Sequence, residues 1–215
     1  MTIAVLGWGS LLWNLTKNRE NGFHVVGGWR DGPFLPIEFA RISQGKDGRR
    51  NVLTLVVHPG ALPVQVFWAE SCEPSLMGAI ENLRGREGGK SPIGHVDLKA
   101  KVDQPSNGVA EQVREWALSL RPSGVSIDAV VWTDLRSNFE SKTHMPLSED
   151  NIVAFLSNLR GADRCEAETY IRATLPRIDT PYRRRIIKDL GWSYDPSIEE
   201  RQRLLVGEPA PEASP

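Results

Sequence analysis

The chain of 215 residues is 40% hydrophobic and 25% charged, an ordinary globular composition long enough for one domain or at most two small ones. Its formal net charge of -1 gives no global field to draw nucleic acid or an anionic membrane, so neither is expected as a partner. Two cysteines, Cys72 and Cys165, show no CxxC spacing and no disulfide framework, which fits a reducing compartment, and no run approaches the roughly 20 apolar residues that span a bilayer.

The chain begins MTIAVLGWGSLLWN. It has no basic n-region, and glycines and a serine break its apolar run, so it is read as a first buried strand over 2–6 and not as a signal peptide. A cytoplasmic protein is the expectation. A Gly-rich turn follows. Residues 36–43 form a candidate second strand, and 51–58, rich in Val, Leu and Thr, a third that Pro59-Gly60 ends. Residues 64–69 alternate, with Val64, Val66 and Trp68 on one face. Strands joined by turns this short are expected to be antiparallel neighbours. The run 127–133 predicts a buried strand.

Helices fill the remainder. Leu76, Ile80 and Leu83 are spaced i, i+4, i+7, with Pro74 at the first helical position. Val109, Val113, Trp116 and Leu120 make a second stripe. Ile152, Phe155, Leu156 and Leu159 make a third, opened by Ser148 and closed by Gly161. Tyr170, Ile171, Thr174 and Leu175 indicate a fourth. A fifth covers 181–190, with Thr180 as N-cap and Gly191 beyond its end. The Pro/Ala/Glu-rich tail, 206–215, is expected to be disordered. Early strands and late helices predict an α+β fold: a small, mostly antiparallel barrel or curled sheet with surrounding helices. Residues 1–205 are expected to form a single domain, with a helical extension from about residue 145.

Two short segments carry the chemical signal. In the first, Gly7 and Gly9 flank Trp8 directly after a strand, and Ser10 and Leu11 follow. Alone, this is a tight strand-to-loop turn; its chemical reading is a nest of backbone N–H groups for a carboxylate or oxyanion. Leu12 stands where a dinucleotide fingerprint needs its third glycine, and GxSxG is absent. The second is Arg84-Gly85-Arg86-Glu87-Gly88-Gly89-Lys90. Alone, it is a helix end whose arginines answer the helix dipole. Its chemical reading makes Glu87 a general base that the glycines let a substrate approach.

Together these segments resemble the gamma-glutamylcyclotransferase-like superfamily, which includes ChaC-like glutathione-degrading enzymes and gamma-glutamylamine cyclotransferases. Residues 7–11 are similar to the family's GYGSL-type loop, and Glu87 in REGG is similar to its catalytic glutamate, roughly 70–80 residues on. Gly28-Trp29-Arg30 and Phe39-Ala40-Arg41 extend the resemblance, which covers roughly residues 3 to 135. The segment 170–192 is read as belonging to a bacterial branch with no activity attached. The family's usual tyrosine between the glycines is Trp8 here, so one N–H donor replaces a hydroxyl. The resemblance implies intramolecular attack of the α-amine of a small γ-glutamyl substrate on its γ-carbonyl. That attack releases 5-oxoproline and an amine or peptide, without metal or other cofactor. Residues 7–11 would hold the substrate and Glu87 would take the proton. A non-enzymatic small-molecule-binding or interaction domain is the alternative.

Glu38 and Arg41, in a predicted strand, are candidate pocket residues or a structural ion pair. Their odd separation puts them on opposite faces unless a bulge intervenes. Ser10 has no evident His–Asp relay, and His24, His58, His95 and His144 lack metal-ligand spacing. Arg183, Arg184 and Arg185, with Arg177 and Lys188, spread around one helix and are read as a solvated face, not a nucleic-acid surface.

Overall fold

The computed structural model describes residues 1–44, 51–99, 102–103 and 108–206. The first apolar run folds as β1 (Ile3–Gly7), the middle of a mixed sheet. The other strands are β2 (Val25–Gln44), β3 (Asn51–Val57), β4 (Pro63–Ser71), β5 (Ile93–Asp97), β6 (Val102–Asp103) and β7 (Ala129–Thr133). Their order is β3-β2-β4-β1-β7-β5-β6. Among the described residues only β1 and β7 pair in parallel, and the other ladders are antiparallel. Among the described residues the sheet does not close on itself, so the architecture is an open α+β sheet and not a barrel.

All five residues of β1 are buried. Ala4 and Leu6 join one apolar cluster, and Ile3 and Val5 join another on the opposite face. Val130 and Trp132 of β7 alternate with Ala129 and Val131 in the same way. Unbroken apolar runs suit strands covered on both faces. The second face is covered by Ala79, Ile80 and Leu83 of α3 (Leu76–Arg86). Ser75, not Pro74, opens that helix, its hydroxyl accepting from the Gly78 N–H at 3.1 Å.

The strand expected over 36–43 is the second half of a 20-residue β2. Its first half pairs with β4 and its second half with β3, and the change falls after Pro36. Thus β3 and β4 do not form the hairpin their short connection suggests: β2 lies between them. The register slips between Phe39 and Arg41, so Ala40 is the extra residue of a bulge. Two further slips, after Val26 and after Asp31, fall where Gly27, Gly28 and Gly32 weaken the pattern. Bulges bend and twist a strand locally.

The later helices are α4 (Ala110–Ser119), α5 (Phe139–Thr143), α6 (Glu149–Asn158), α7 (Gly161–Ala173), α8 (Pro181–Leu190) and α9 (Pro196–Val206). Ser148 caps α6, but that helix ends at Leu159, and Gly161 opens α7 instead of closing α6. Helix α8 has the expected bounds, with Thr180 accepting from the Arg183 N–H at 3.2 Å and Gly191 at φ 71°. Helix α7 lies along edge strand β3, and α9 reaches α2 (Leu15–Glu20). Val206 is helical, and the rest of the expected tail is outside the described residues. No helix among the described residues is long and apolar enough to cross a membrane.

Candidate functional site

Where β1 ends, the chain turns through Trp8 and Gly9 into a one-turn helix, α1 (Ser10–Trp13). Gly9 has φ 58° and ψ -139°, a conformation open to glycine and costly for other residues. A Cβ there would lie 2.0 Å from the Tyr170 hydroxyl oxygen. The turn is thus shaped around a side chain from α7. Trp8 is buried, and its indole Nε1 donates to the Leu55 carbonyl on β3 at 3.3 Å. The N–H that distinguishes this residue from tyrosine is directed at edge strand β3.

Glu87 caps the C-terminus of α3, its N–H bonded to the Leu83 carbonyl and its own carbonyl accepting from the Ser91 hydroxyl at 2.9 Å. Gly88 follows at φ 92° and stops the helix. The preceding arginines part company. Arg84 points outward to Glu81, whereas Arg86 turns inward and is only 1% exposed. Its Nη1 donates to the Glu87 carboxylate at 2.5 Å, its Nη2 to the Ser10 hydroxyl at 3.2 Å and its Nε to Asn18 Oδ1 at 2.9 Å. Asn18 in turn donates to the Leu11 carbonyl at 3.0 Å. A guanidinium buried without such partners would cost several kcal/mol, so this network fixes Glu87 against the glycine turn. The sequence marks Arg86 as a helix-end charge only; its burial depends on α2, which packs against the turn.

Glu87, Trp8, Ser10 and Leu11 all line one cavity of 480 Å³. Its size is that of a small-molecule site. The remaining wall includes Thr54 and Leu55 of β3, Thr133 at the end of β7, Glu166, Thr169 and Tyr170 of α7, and Gln202 of α9. Tyr170 takes a hydrogen bond from the Leu55 N–H at 3.4 Å. Burial pushes its phenol up to about 12, and the charge of Glu87 pushes in the same direction. Trp13 meets the Tyr170 ring edge-on, with centroids 5.9 Å apart. Its buried indole N–H has no partner among the described residues.

Gly7 and Gly9 form the backbone of the turn and are not part of the cavity wall; Glu38 and Arg41 also lie away from it. Glu38 is buried at the start of α8, where its carboxylate accepts from the Thr180 hydroxyl, the Phe39 N–H at 2.9 Å and the Tyr182 N–H at 3.3 Å. Burial raises its pKa against the lowering effect of those bonds. The structure therefore gives Glu38 the role of a helix-start anchor. Arg41 donates to the Arg136 carbonyl at 2.8 Å, so the two charges do not pair.

The arginine run also differs from its sequence reading. Arg184 and Arg185 form surface ion pairs with Asp179 and Asp189, but Arg183 is 2% exposed. It donates to the carbonyls of Thr174, Leu175 and Ile178, which join α7 to α8. Tyr170 was legible only as a member of an apolar helical stripe. Its hydroxyl belongs to the site because α7 returns to cover β3, a pairing no local pattern encodes. Comparison with family models, with curated proteins and with solved structures finds no match to this chain.

Proposed function

We propose that the protein is a γ-glutamyl cyclotransferase, acting on a small γ-glutamyl compound to release 5-oxoproline and an amine or peptide. The observation that carries this reading is the shared cavity, in which the Glu87 carboxylate and the turn at Trp8, Ser10 and Leu11 face one small-molecule volume. The reaction needs one base and a mould that folds the substrate's α-amine onto its γ-carbonyl. Both reacting groups belong to one molecule, so orientation supplies much of the acceleration.

The substrate's α-ammonium must lose a proton before its nitrogen can attack. Glu87 takes that proton. The new C–N bond forms as the carbonyl electron pair moves onto oxygen. Collapse restores the carbonyl and breaks the old C–N bond. Over the cycle the α-nitrogen gives up two protons and the leaving nitrogen gains two, with Glu87 as carrier. Arg86 keeps the carboxylate oriented, through its bonds to Ser10 and Asn18.

A second reading is a domain that binds such a ligand without turning it over. It is favoured by the 2.5 Å ion pair, which already engages one Glu87 oxygen with a buried cation. Incubation of the protein with glutathione, γ-glutamyl amino acids and γ-glutamylamines, with 5-oxoproline measured, separates the two. The cyclotransferase releases 5-oxoproline from at least one class. Binding of a class with no release supports the second reading.

A further inference from the structure

We propose that Tyr170 is a catalytic hydrogen-bond donor of this site, its phenol O–H taking the γ-carbonyl oxygen of the substrate as that oxygen becomes an oxyanion. This role rests on the cyclotransferase reading. It starts from the valence of one oxygen. A phenol hydroxyl can accept hydrogen bonds at its lone pairs and donate one. The Leu55 N–H, at 3.4 Å, occupies the accepting side. No acceptor among the described residues takes the proton. Tyr170 lines the cavity that holds Glu87, so that cavity is where an acceptor for the proton can come from.

A further observation points the same way. Tyr170 is held, not merely present: Trp13 and Phe39 meet its ring edge-on at 5.9 and 6.4 Å, and the Gly9 turn leaves no space between itself and the hydroxyl. A donor fixed before the reaction costs no reorganisation as charge develops. A hydroxyl donor in the wall of a cavity that also holds a carboxylate suits a ligand with a carbonyl oxygen at one end and an ammonium at the other. Burial holds the phenol protonated across the physiological range, so the O–H remains a donor while Glu87 carries protons. No proton leaves Tyr170 in the cycle: the bond strengthens as the C–N bond forms and relaxes on collapse.

The test is Tyr170→Phe, which keeps the ring and removes the donor. We expect kcat on the best γ-glutamyl substrate to fall by about 10²–10³, the usual effect of losing one oxyanion donor, with KM changed by less than about threefold. A merely structural role would move KM and the melting temperature with kcat. Should the variant fold poorly, 3,5-difluorotyrosine at position 170 retains the ring and hydroxyl but ionises at lower pH. It should add a loss of kcat on the alkaline side that the unmodified protein lacks. Turnover by Tyr170→Phe within threefold of wild type, or an unchanged alkaline limb in the fluorinated protein, overturns the role. If wild type is active and Glu87→Gln abolishes turnover while Tyr170→Phe does not, only the Tyr170 role falls. If wild type releases no 5-oxoproline from any compound, both readings fall together.

Discussion

Gly9 and Tyr170 are a matched pair. One supplies a positive φ with no side chain, and the other fills the vacated space with a hydroxyl. Gly9→Ala forces a side chain into both constraints. It should destabilise the fold by about 1–3 kcal/mol, read as a denaturation midpoint at lower urea. An alanine variant as stable as wild type would mean the turn is not built around Tyr170. Glu38 offers a residue-scale test of another kind. Its folded pKa is raised above the ordinary 4.5 because burial penalises the charged form. The native state therefore binds the proton more tightly than the unfolded chain. Its favourable contribution is complete at pH below 4.5 and is lost as pH rises through the folded value. The stability difference between wild type and Glu38→Gln should shift against wild type as pH rises from 4.5, measured by paired denaturation curves. A difference that grows in favour of wild type over that range would contradict the burial argument.

The connection between helices α7 and α8 is held together from inside by one side chain. Arg183 holds three carbonyls of that connection in a dry site. Arg183→Met strands them, and we expect a loss of about 3 kcal/mol or more. Arg184→Met, which removes an exposed pair with Asp179, should cost less than about 0.5 kcal/mol. Equal effects in thermal melts would show that Arg183 is not buried as described. The same elements show what was readable in advance. Helix α8 was legible to the residue, because Thr180, Pro181 and Gly191 are local signals of start and stop. The long β2 was half legible: three glycines and two prolines interrupt its alternation, and its order comes from pairing with two different strands. Gly161 was misassigned because glycine marks helix starts as well as ends, and only the backbone path tells which. Arg183 was misread because the face of α8 that turns inward depends on the α7 connection.

For the molecule as a whole, the turn and Glu87 could be singled out in the sequence because each carries its own glycine punctuation. The agent that joins them, Arg86, and the wall that completes their cavity, from β3, α7 and α9, could not. Those contacts cross the chain at long range and leave no periodic trace. The helices beyond residue 145 thus help to enclose the candidate site, with Glu166, Thr169, Tyr170 and Gln202 in its wall. The claim that most needs testing is that Glu87 is the base of a cyclisation in this cavity. The direct measurement is 5-oxoproline release by wild type and by Glu87→Gln from the γ-glutamyl compound that wild type uses best, with binding of the same compound followed by calorimetry. Glutamine keeps the size of the side chain but cannot carry the proton. If Glu87 is that base, turnover falls by at least about 10²-fold with binding within a few-fold of wild type. Turnover by Glu87→Gln within a few-fold of wild type would contradict it.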